Sequence, residues 1–367
     1  MNINKLRVGV LFGGKSAEHE ISLLSAQSII EALDPDKYEI TRIGIDKQGH
    51  WVLLDATTGM LHTDDPKRIA LRGGGTQVSM MTKENRPCLI PMNATEKSHT
   101  LDVIFPILHG TYGEDGTVQG LLKLLGIPFV GAGVLGSAVG MDKDVMKRLL
   151  RDAAIPTAKF RVLRKHERHS ISFEEVVKEI GLPCFVKPAN LGSSVGITKV
   201  KSLEDWDKAL DLGFMYDHKL LVEEAIEGRE IECSVLGNED PIASIPGELI
   251  PTHEFYSYEA KYLDENGALI VIPAALFEEE VKRIQKLAID AYKVLCCEGM
   301  ARVDFFLTNQ GEIKVNEINT LPGFTKISMY PKMWQASGLS YPALLDRLIE
   351  LAIDRHRKDS TLKTTLP

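Results

Sequence analysis

Cysteine is scarce in this sequence and unpatterned: Cys88, Cys184, Cys233, Cys296 and Cys297 are odd in number and lack the paired spacing of a metal site. Most lie in apolar runs, which argues against a disulfide-stapled scaffold and for core thiols in a reducing compartment. Long apolar runs are missing too. No segment approaches the length of a membrane span, and Met1-Asn2-Ile3-Asn4-Lys5 leads into a short strand-like run without the apolar block of an export signal. A cytoplasmic protein with no membrane partner is the expectation. Nor is there an excess of positive charge. With 43 Lys and Arg against 51 Asp and Glu, a formal charge of -8, the chain lacks the clustered basic surface that nucleic acid requires. Any cation that meets phosphate must be individually placed. No internal repeat is present.

What the 367 residues do contain is an ordinary globular balance, 44% hydrophobic and 26% charged, over a length that outgrows a single core. Two or three domains follow, with substrate clefts expected between them. Arg7-Val-Gly-Val-Leu-Phe12, then Gly13-Gly14, then helical periodicity from about Glu20 to Leu33 read as strand, turn and helix, the opening of an α/β domain. A second apolar strand spans Asp102 to His109, after a polar stretch at 56–100 that reads as an insertion with long loops. This first unit is placed at 1–131. A helix opening near Asp142 runs to Ala154 and stops ahead of Pro156. Ser172 and Glu175 carry a capping-box signature for a helix ending at Gly181, before the strand Cys184–Lys187. These elements make a second unit, 132–223. The third, 224–367, holds an amphipathic helix at 277–296, a hairpin, a closing helix at 342–354, and a polar tail expected to fray after Arg355.

The hairpin is where chemistry first becomes legible. Ala301-Arg302-Val303-Asp304-Phe305-Phe306-Leu307 and Ile313-Lys314-Val315-Asn316-Glu317-Ile318-Asn319 flank the turn-forming segment Thr308-Asn-Gln-Gly-Glu312. Side chains alternate along a strand, so Arg302 and Asp304 share one face, and Glu317 and Asn319 share a face of the partner. A two-residue turn at Gln310-Gly311 sets Asp304 opposite Glu317 and Arg302 opposite Asn319. Two carboxylates and a carboxamide are hard oxygen donors, the type Mg²⁺ takes while it holds the phosphates of ATP. Arg302 adds a cationic fork for a carboxylate or an oxyanion. Taken alone, the same residues suit a solvent-facing sheet with an Arg–Asp pair; the neighbouring segments tip the reading towards a site.

Lys187-Pro-Ala-Asn-Leu-Gly192-Ser193-Ser194-Val195-Gly196 lies between two strand-like runs. Its glycines let backbone approach a ligand, successive N–H groups can cradle phosphate oxygens, and two hydroxyls and a lysine complete the grip. Lys143 is the natural second cation. A literal P-loop string also occurs, Gly9-Val-Leu-Phe-Gly-Gly14-Lys15-Ser16, but its first glycine falls inside the apolar run. Forming a phosphate loop there would pull Val10, Leu11 and Phe12 out of the core, so the match is read as coincidence.

Together these segments resemble the D-alanine–D-alanine ligases of the ATP-grasp superfamily, through nearly the whole chain and in order. The most specific are Phe12-Gly-Gly-Lys-Ser-Ala-Glu-His-Glu-Ile-Ser22, Leu108-His-Gly-Thr-Tyr-Gly-Glu-Asp-Gly116, Tyr258-Glu-Ala-Lys-Tyr262 and Glu317-Ile-Asn-Thr-Leu-Pro-Gly323. The resemblance implies a three-domain ATP-grasp architecture, α/β and α+β, with an N-terminal Rossmann-like (pre-ATP-grasp) domain and two ATP-grasp subdomains at 132–223 and 224–367. It implies ATP as co-substrate, held by Lys143, Lys187, Gly192, Ser193, Ser194 and Val195. Glu223 and Ile226 then lie near adenine, Glu230 at the ribose, and Asn316 beside the nucleotide. Two Mg²⁺ ions, replaceable by Mn²⁺, are implied on Asp304, Glu317 and Asn319. Glu20 would take the ammonium of the first D-alanine in a network with Ser193 and Tyr262; Lys261, Ser328 and Met329 would receive the carboxylate of the second, with His109 close by. Arg302 and the N–H of Gly323 would steady the oxyanion when the second amine attacks an acyl phosphate, under a closing loop at 247–270. A homodimer serving peptidoglycan synthesis is also implied. One position departs from the pattern: Glu224 stands where many relatives carry lysine. The Glu-Ala-Lys-Tyr262 stretch is that of dipeptide-forming members and favours an amine as second nucleophile.

Overall fold

Val8, Val10, Leu11 and Phe12 are wholly buried, which a strand achieves only with both faces covered. In the computed structural model, which describes residues 5–55, 59–61, 68–71, 75–83, 86–93, 97–251 and 268–363, they form β1 (Leu6–Gly13). β1 runs parallel to β2 (Tyr38–Ile45) on one side and to β9 (Val103–Ile107) on the other. Val8, Val10 and Phe12 meet α1 (His19–Ala32) on one face, and Leu11 meets Val118 and Leu122 of α2 (Thr117–Leu124) on the other. The sheet continues through β3 (Trp51–Leu54), β6 (Thr76–Lys83), β7 (Arg86–Pro91) and β8 (His99–Thr100), while β4 (Met60–Leu61) and β5 (Ala70–Leu71) pair separately. The long loops expected at 56–100 are therefore a correction: the described part is largely strand. Its strands read as polar because they extend one side of the sheet, where few side chains are covered.

The second unit opens with α3 (Val134–Met141) and α4 (Lys143–Asp152). Asp142 caps α4 by accepting from the N–H groups of Asp144 and Val145, each at 3.1 Å. A four-stranded sheet follows in the order β10 (Phe160–Arg164), β13 (Lys219–Glu224), β11 (Cys184–Pro188), β12 (Thr198–Val200), backed by α5 (Phe173–Glu179) and α6 (Leu203–Tyr216). Ser172 caps α5 through Glu175 N–H at 3.2 Å, which is one half of the expected capping box, and Gly181 sits beyond the helix end at φ +91° as expected.

A six-stranded sheet makes the third unit: β17 (Ala268–Val271), β16 (Gly247–Pro251), β14 (Gly228–Gly237), β18 (Gly299–Thr308) and β19 (Ile313–Asn319) in line, with β15 (Ile242–Ala243) beside β14. α7 (Glu278–Val294) packs Ile284, Ala288, Ala291 and Tyr292 against it. α8 (Met329–Ala336) and α9 (Tyr341–Asp359) close the chain. α9 outruns its expected end. The frayed tail expected after Arg355 is helical as far as Asp359, and Arg355 itself is buried: it donates to the carbonyls of Gly131 at 2.6 Å and Phe129 at 2.7 Å and stacks on the Phe129 ring. Leu344, Leu345 and Leu348 join the same core cluster as Val8 and Phe105, so this helix ties the third unit to the first. Cys88, Cys184, Cys233 and Cys297 are buried, Cys296 is exposed, and burial lifts the Cys184 thiol to about 11 and the Cys233 thiol to about 12. Among the described residues no helix is long and apolar enough to cross a membrane.

Candidate active site

Arg302 faces Asn319 and Asp304 faces Glu317 across β18 and β19. The expected pairing is present, but by another route. The turn closes between Thr308 and Glu312, with Thr308 N–H on Glu312 O at 2.9 Å, leaving a three-residue loop whose Gly311 takes φ +78°. That shifts the register by one residue, and a bulge beside Asp304 and Phe305 restores it, because Asp304 pairs with Glu317 while Phe305 pairs with Val315. Asn316 is the extra residue. Its insertion lets the adjacent Asn316 and Glu317 both avoid the core, where Val315 and Ile318 are buried.

On the open face, Arg302 grips Asp304 with both prongs, Nε to Oδ1 at 2.7 Å and Nη2 to Oδ2 at 2.8 Å, and its Nε also lies 3.0 Å from Oε2 of Glu232. Asn319 Oδ1 is buried without a hydrogen-bond partner among the described residues. Two carboxylates and an unsatisfied carboxamide oxygen are a donor set that suits Mg²⁺ or Mn²⁺. Among the described residues no three His, Cys, Asp or Glu side chains are drawn together as a metal cluster, and cations neutralise the acids instead.

Arg302 serves Asp304, and the remaining cations come from α4 and β11. Lys143, Met146, Lys147 and Leu150 form one stripe of the helix, and all are buried. Lys143 donates to Leu191 O at 2.6 Å and lies 3.4 Å from Glu317. One turn on, Lys147 reaches Glu223 Oε2 at 2.9 Å, while Lys187 of β11 holds Glu223 Oε1 at 2.7 Å. Glu223 is 1% exposed. Burial alone would raise its pKa, yet the two lysines hold it down to about 2. Ile226 follows in the half-buried link from β13 to β14, Glu230 sits in β14, and Glu224 accepts from Lys159 N–H at 2.9 Å and from Lys314 at 3.2 Å.

The glycine-rich segment rises beside this group. Ser193 and Ser194 hold φ +52° and +60° and Gly196 +71°, so successive N–H groups fold into a concave turn. The Ser193 hydroxyl donates to Glu18, and here the geometry corrects an expectation. The network placed on Glu20 forms on Glu18. Glu18 is buried, and Gly110 makes room for it, since a Cβ there would lie 2.7 Å from Glu18 Oε2. Glu20 turns outward to Lys47 at 2.6 Å.

His109 lies beneath, with Nδ1 3.1 Å from Leu321 O, Nε2 3.1 Å from Ser25 Oγ and Glu114 at 3.9 Å. Burial disfavours its charge, but Glu114, with Glu18 beyond, leaves the pKa above the ordinary value. Ser25 also accepts from Phe324 N–H at 3.2 Å, so the irregular segment following β19 is pinned to the first unit on both sides of Gly323. A Cβ on Gly323 would lie 2.8 Å from Ser328 Oγ. Ser328 caps α8 by position and bonds Thr325, and the Met329 side chain is buried under Gly247. Lys261 and Tyr262 lie outside the described residues, as does most of the loop at 247–270, whose two ends are the paired strands β16 and β17. The P-loop string is not a phosphate loop: Gly9 is inside β1, where a Cβ would meet Ile104 at 2.6 Å.

Glu18, Lys147 and Glu232 escaped the sequence reading. A lysine at an apolar-stripe position was the available signal for Lys147; for Glu18 it was its place in the Phe12–Ser22 motif, two residues before Glu20.

Two family descriptions match, D-ala D-ala ligase N-terminus over residues 7–132 and D-ala D-ala ligase C-terminus over residues 149–350. The D-alanine–D-alanine ligase of Oceanobacillus iheyensis is 55% identical, covering 98% of this chain and 99% of its own, and D-alanine–D-alanine ligase A of Escherichia coli K12 is 55% identical over 99% and 100%. Among solved structures, the D-alanine-D-alanine ligase from Coxiella burnetii superposes with a TM-score of 0.84 at 42% identity, covering 97% of this chain and 96% of its own. The VanG D-Ala:D-Ser ligase from Enterococcus faecalis gives 0.81 at 35%, over 95% and 100%. The architecture is accordingly that of an ATP-grasp protein with a Rossmann-like N-terminal domain. With matches of this extent at both ends and along its whole length, the chain belongs to the D-ala D-ala ligase family.

Proposed function

We propose that this chain uses ATP to activate the carboxylate of one D-alanine as an acyl phosphate and condenses it with a second, giving D-alanyl-D-alanine, ADP and phosphate for peptidoglycan precursors. The observation that carries the reading is the convergence of Arg302, Asp304 and Glu317 with Lys143 and the segment it holds at Leu191. Lys143, Lys187 and the N–H groups of Gly192, Ser193, Ser194 and Val195 take the phosphates; Glu223, Ile226 and Glu230 line the nucleoside, beside Asn316. Asp304, Glu317 and Asn319 would hold two Mg²⁺ ions, or Mn²⁺, which would offset phosphate charge against an anionic attacker.

Glu18 replaces Glu20 as the group that receives the first ammonium, steadied by Ser193 and, by resemblance, Tyr262. The second carboxylate meets Ser328, Lys261 and the backbone N–H of Met329, at the opening turn of α8. His109 fixes Leu321 and Ser25 around them. The second amine then attacks the acyl carbonyl, Arg302 and the Gly323 N–H steady the oxyanion, phosphate departs, and the segment between β16 and β17 keeps water from the acyl phosphate. The reading takes the protein as a cytoplasmic homodimer divided at 1–131, 132–223 and 224–367.

Phosphate and ADP release with D-alanine, set against L-alanine, D-lactate and D-serine, tests it. Equal turnover with another acceptor would move the substrate assignment. ATP binding without turnover on any of them would make the chain a nucleotide-binding regulator.

A further inference from the structure

Lys147 is a buried charge without a task in the reaction above. Its side chain is 1% exposed, on a helix stripe it shares with Met146 and Leu150, where a hydrocarbon would pack without desolvating an ion. Its ion-pair partner is Glu223, which therefore has two cations for one negative charge. Only one of the two, Lys187, is assigned to the phosphates of ATP. An ammonium that turns towards a polyphosphate loosens its hold on the carboxylate it leaves. Glu223, 1% exposed, has no solvent to replace that hold. Lys143 does not fill the gap, since its ammonium lies against Leu191 O and Glu317 and is itself assigned to the phosphates.

We infer that Lys147 is a positioning residue that carries Glu223 through this exchange, keeping the carboxylate ionised and fixed while Lys187 passes from Glu223 to the ATP phosphates. The inference rests on the ATP role proposed for Lys187. It also explains the spacing of the two α4 lysines. One turn apart on a single face, Lys143 serves the metal side through Glu317 and Lys147 serves the nucleoside side through Glu223.

The test separates phosphate-bearing from phosphate-free ligands, because adenosine gives Lys187 nothing to move to. Lys147→Met should raise KM for ATP about tenfold or more with kcat changed less than about threefold, and leave the adenosine inhibition constant within about twofold. Lys147→Arg, which keeps the charge, should recover most of the loss. In a Glu223→Gln background, where no buried negative charge needs a partner, adding Lys147→Met should change KM for ATP by less than about twofold. Should Lys147→Met alone not fold, the comparison of Glu223→Gln with Lys147→Met/Glu223→Gln decides in its place. Parallel losses of ATP and adenosine affinity, or a full tenfold loss on top of Glu223→Gln, overturn the inference. An unchanged KM for ATP in Lys147→Met with wild-type turnover overturns it alone, whereas an unsubstituted protein that does not bind ATP overturns the functional reading as well.

Discussion

Glu18 and Glu20 are two residues apart at the start of one helix, and the structure gives them different surroundings, so replacing each by glutamine is a decisive comparison. Glu18 is 7% exposed and accepts from Ser193. If it receives the first ammonium at about 4 Å in an environment of effective dielectric about 20, the charge–charge attraction is about 4 kcal/mol. A glutamine at the same place keeps a neutral hydrogen bond of about 1 kcal/mol, leaving a loss of about 2–3 kcal/mol. That corresponds to a rise of about 30- to 150-fold in KM for the first D-alanine. Glu20 is paired with Lys47, whose side chain is 61% exposed, and such a pair contributes at most about 1 kcal/mol. Glu20→Gln should therefore change that KM less than about threefold. Phosphate release measured over a D-alanine titration resolves both constants. A larger effect at Glu20 than at Glu18 would refute the placement of the ammonium.

Asp304→Asn and Glu317→Gln should each lower ADP formation at least about a hundredfold with an unchanged circular dichroism spectrum, and wild-type turnover in either would dismiss the metal assignment. Lys15→Ala should leave KM for ATP within about twofold, since Lys15 is exposed and the string it ends cannot open into a phosphate loop while Gly9 is packed inside β1. A steep rise would revive the P-loop string. Arg355→Met leaves the carbonyls of Phe129 and Gly131 without their donor and should destabilise by about 2–4 kcal/mol, read as a lower denaturation midpoint. Arg7 holds the Asp102 carboxyl below its usual range, so the pair's contribution is present above pH about 4 and fades as pH falls through the depressed value. The stability gap between wild type and Arg7→Met, below about 1 kcal/mol for so exposed a pair, should close in acid; a gap that widens there contradicts the sign.

How much of this was legible in the chain alone depends on how far apart the deciding residues are. Local periodicity determined β1 and α1, the Asp142-capped helix, the Ser172 cap and the amphipathic helix at 278–294, because each signal lies within a turn or two of the residues it orders. It also determined that Val10, Leu11 and Phe12 belong to a core and not to a phosphate loop. The hairpin was half legible. Alternation identified which residues share a face on each strand, but the turn length was misread, and only the bulge at Asn316 returned Asp304 to Glu317. Other features depended on partners far away in sequence. Ser193 selects Glu18 across 175 positions, His109 meets Leu321 across 212, and Arg355 reaches Phe129 across 226. Glu18 and Glu20 look alike in a local window, and so do Lys143, Lys147 and any solvated helix lysine. Tertiary packing separates them, because burial and the charge brought in by a distant strand decide whether an ionisable group is a surface ornament or part of a site.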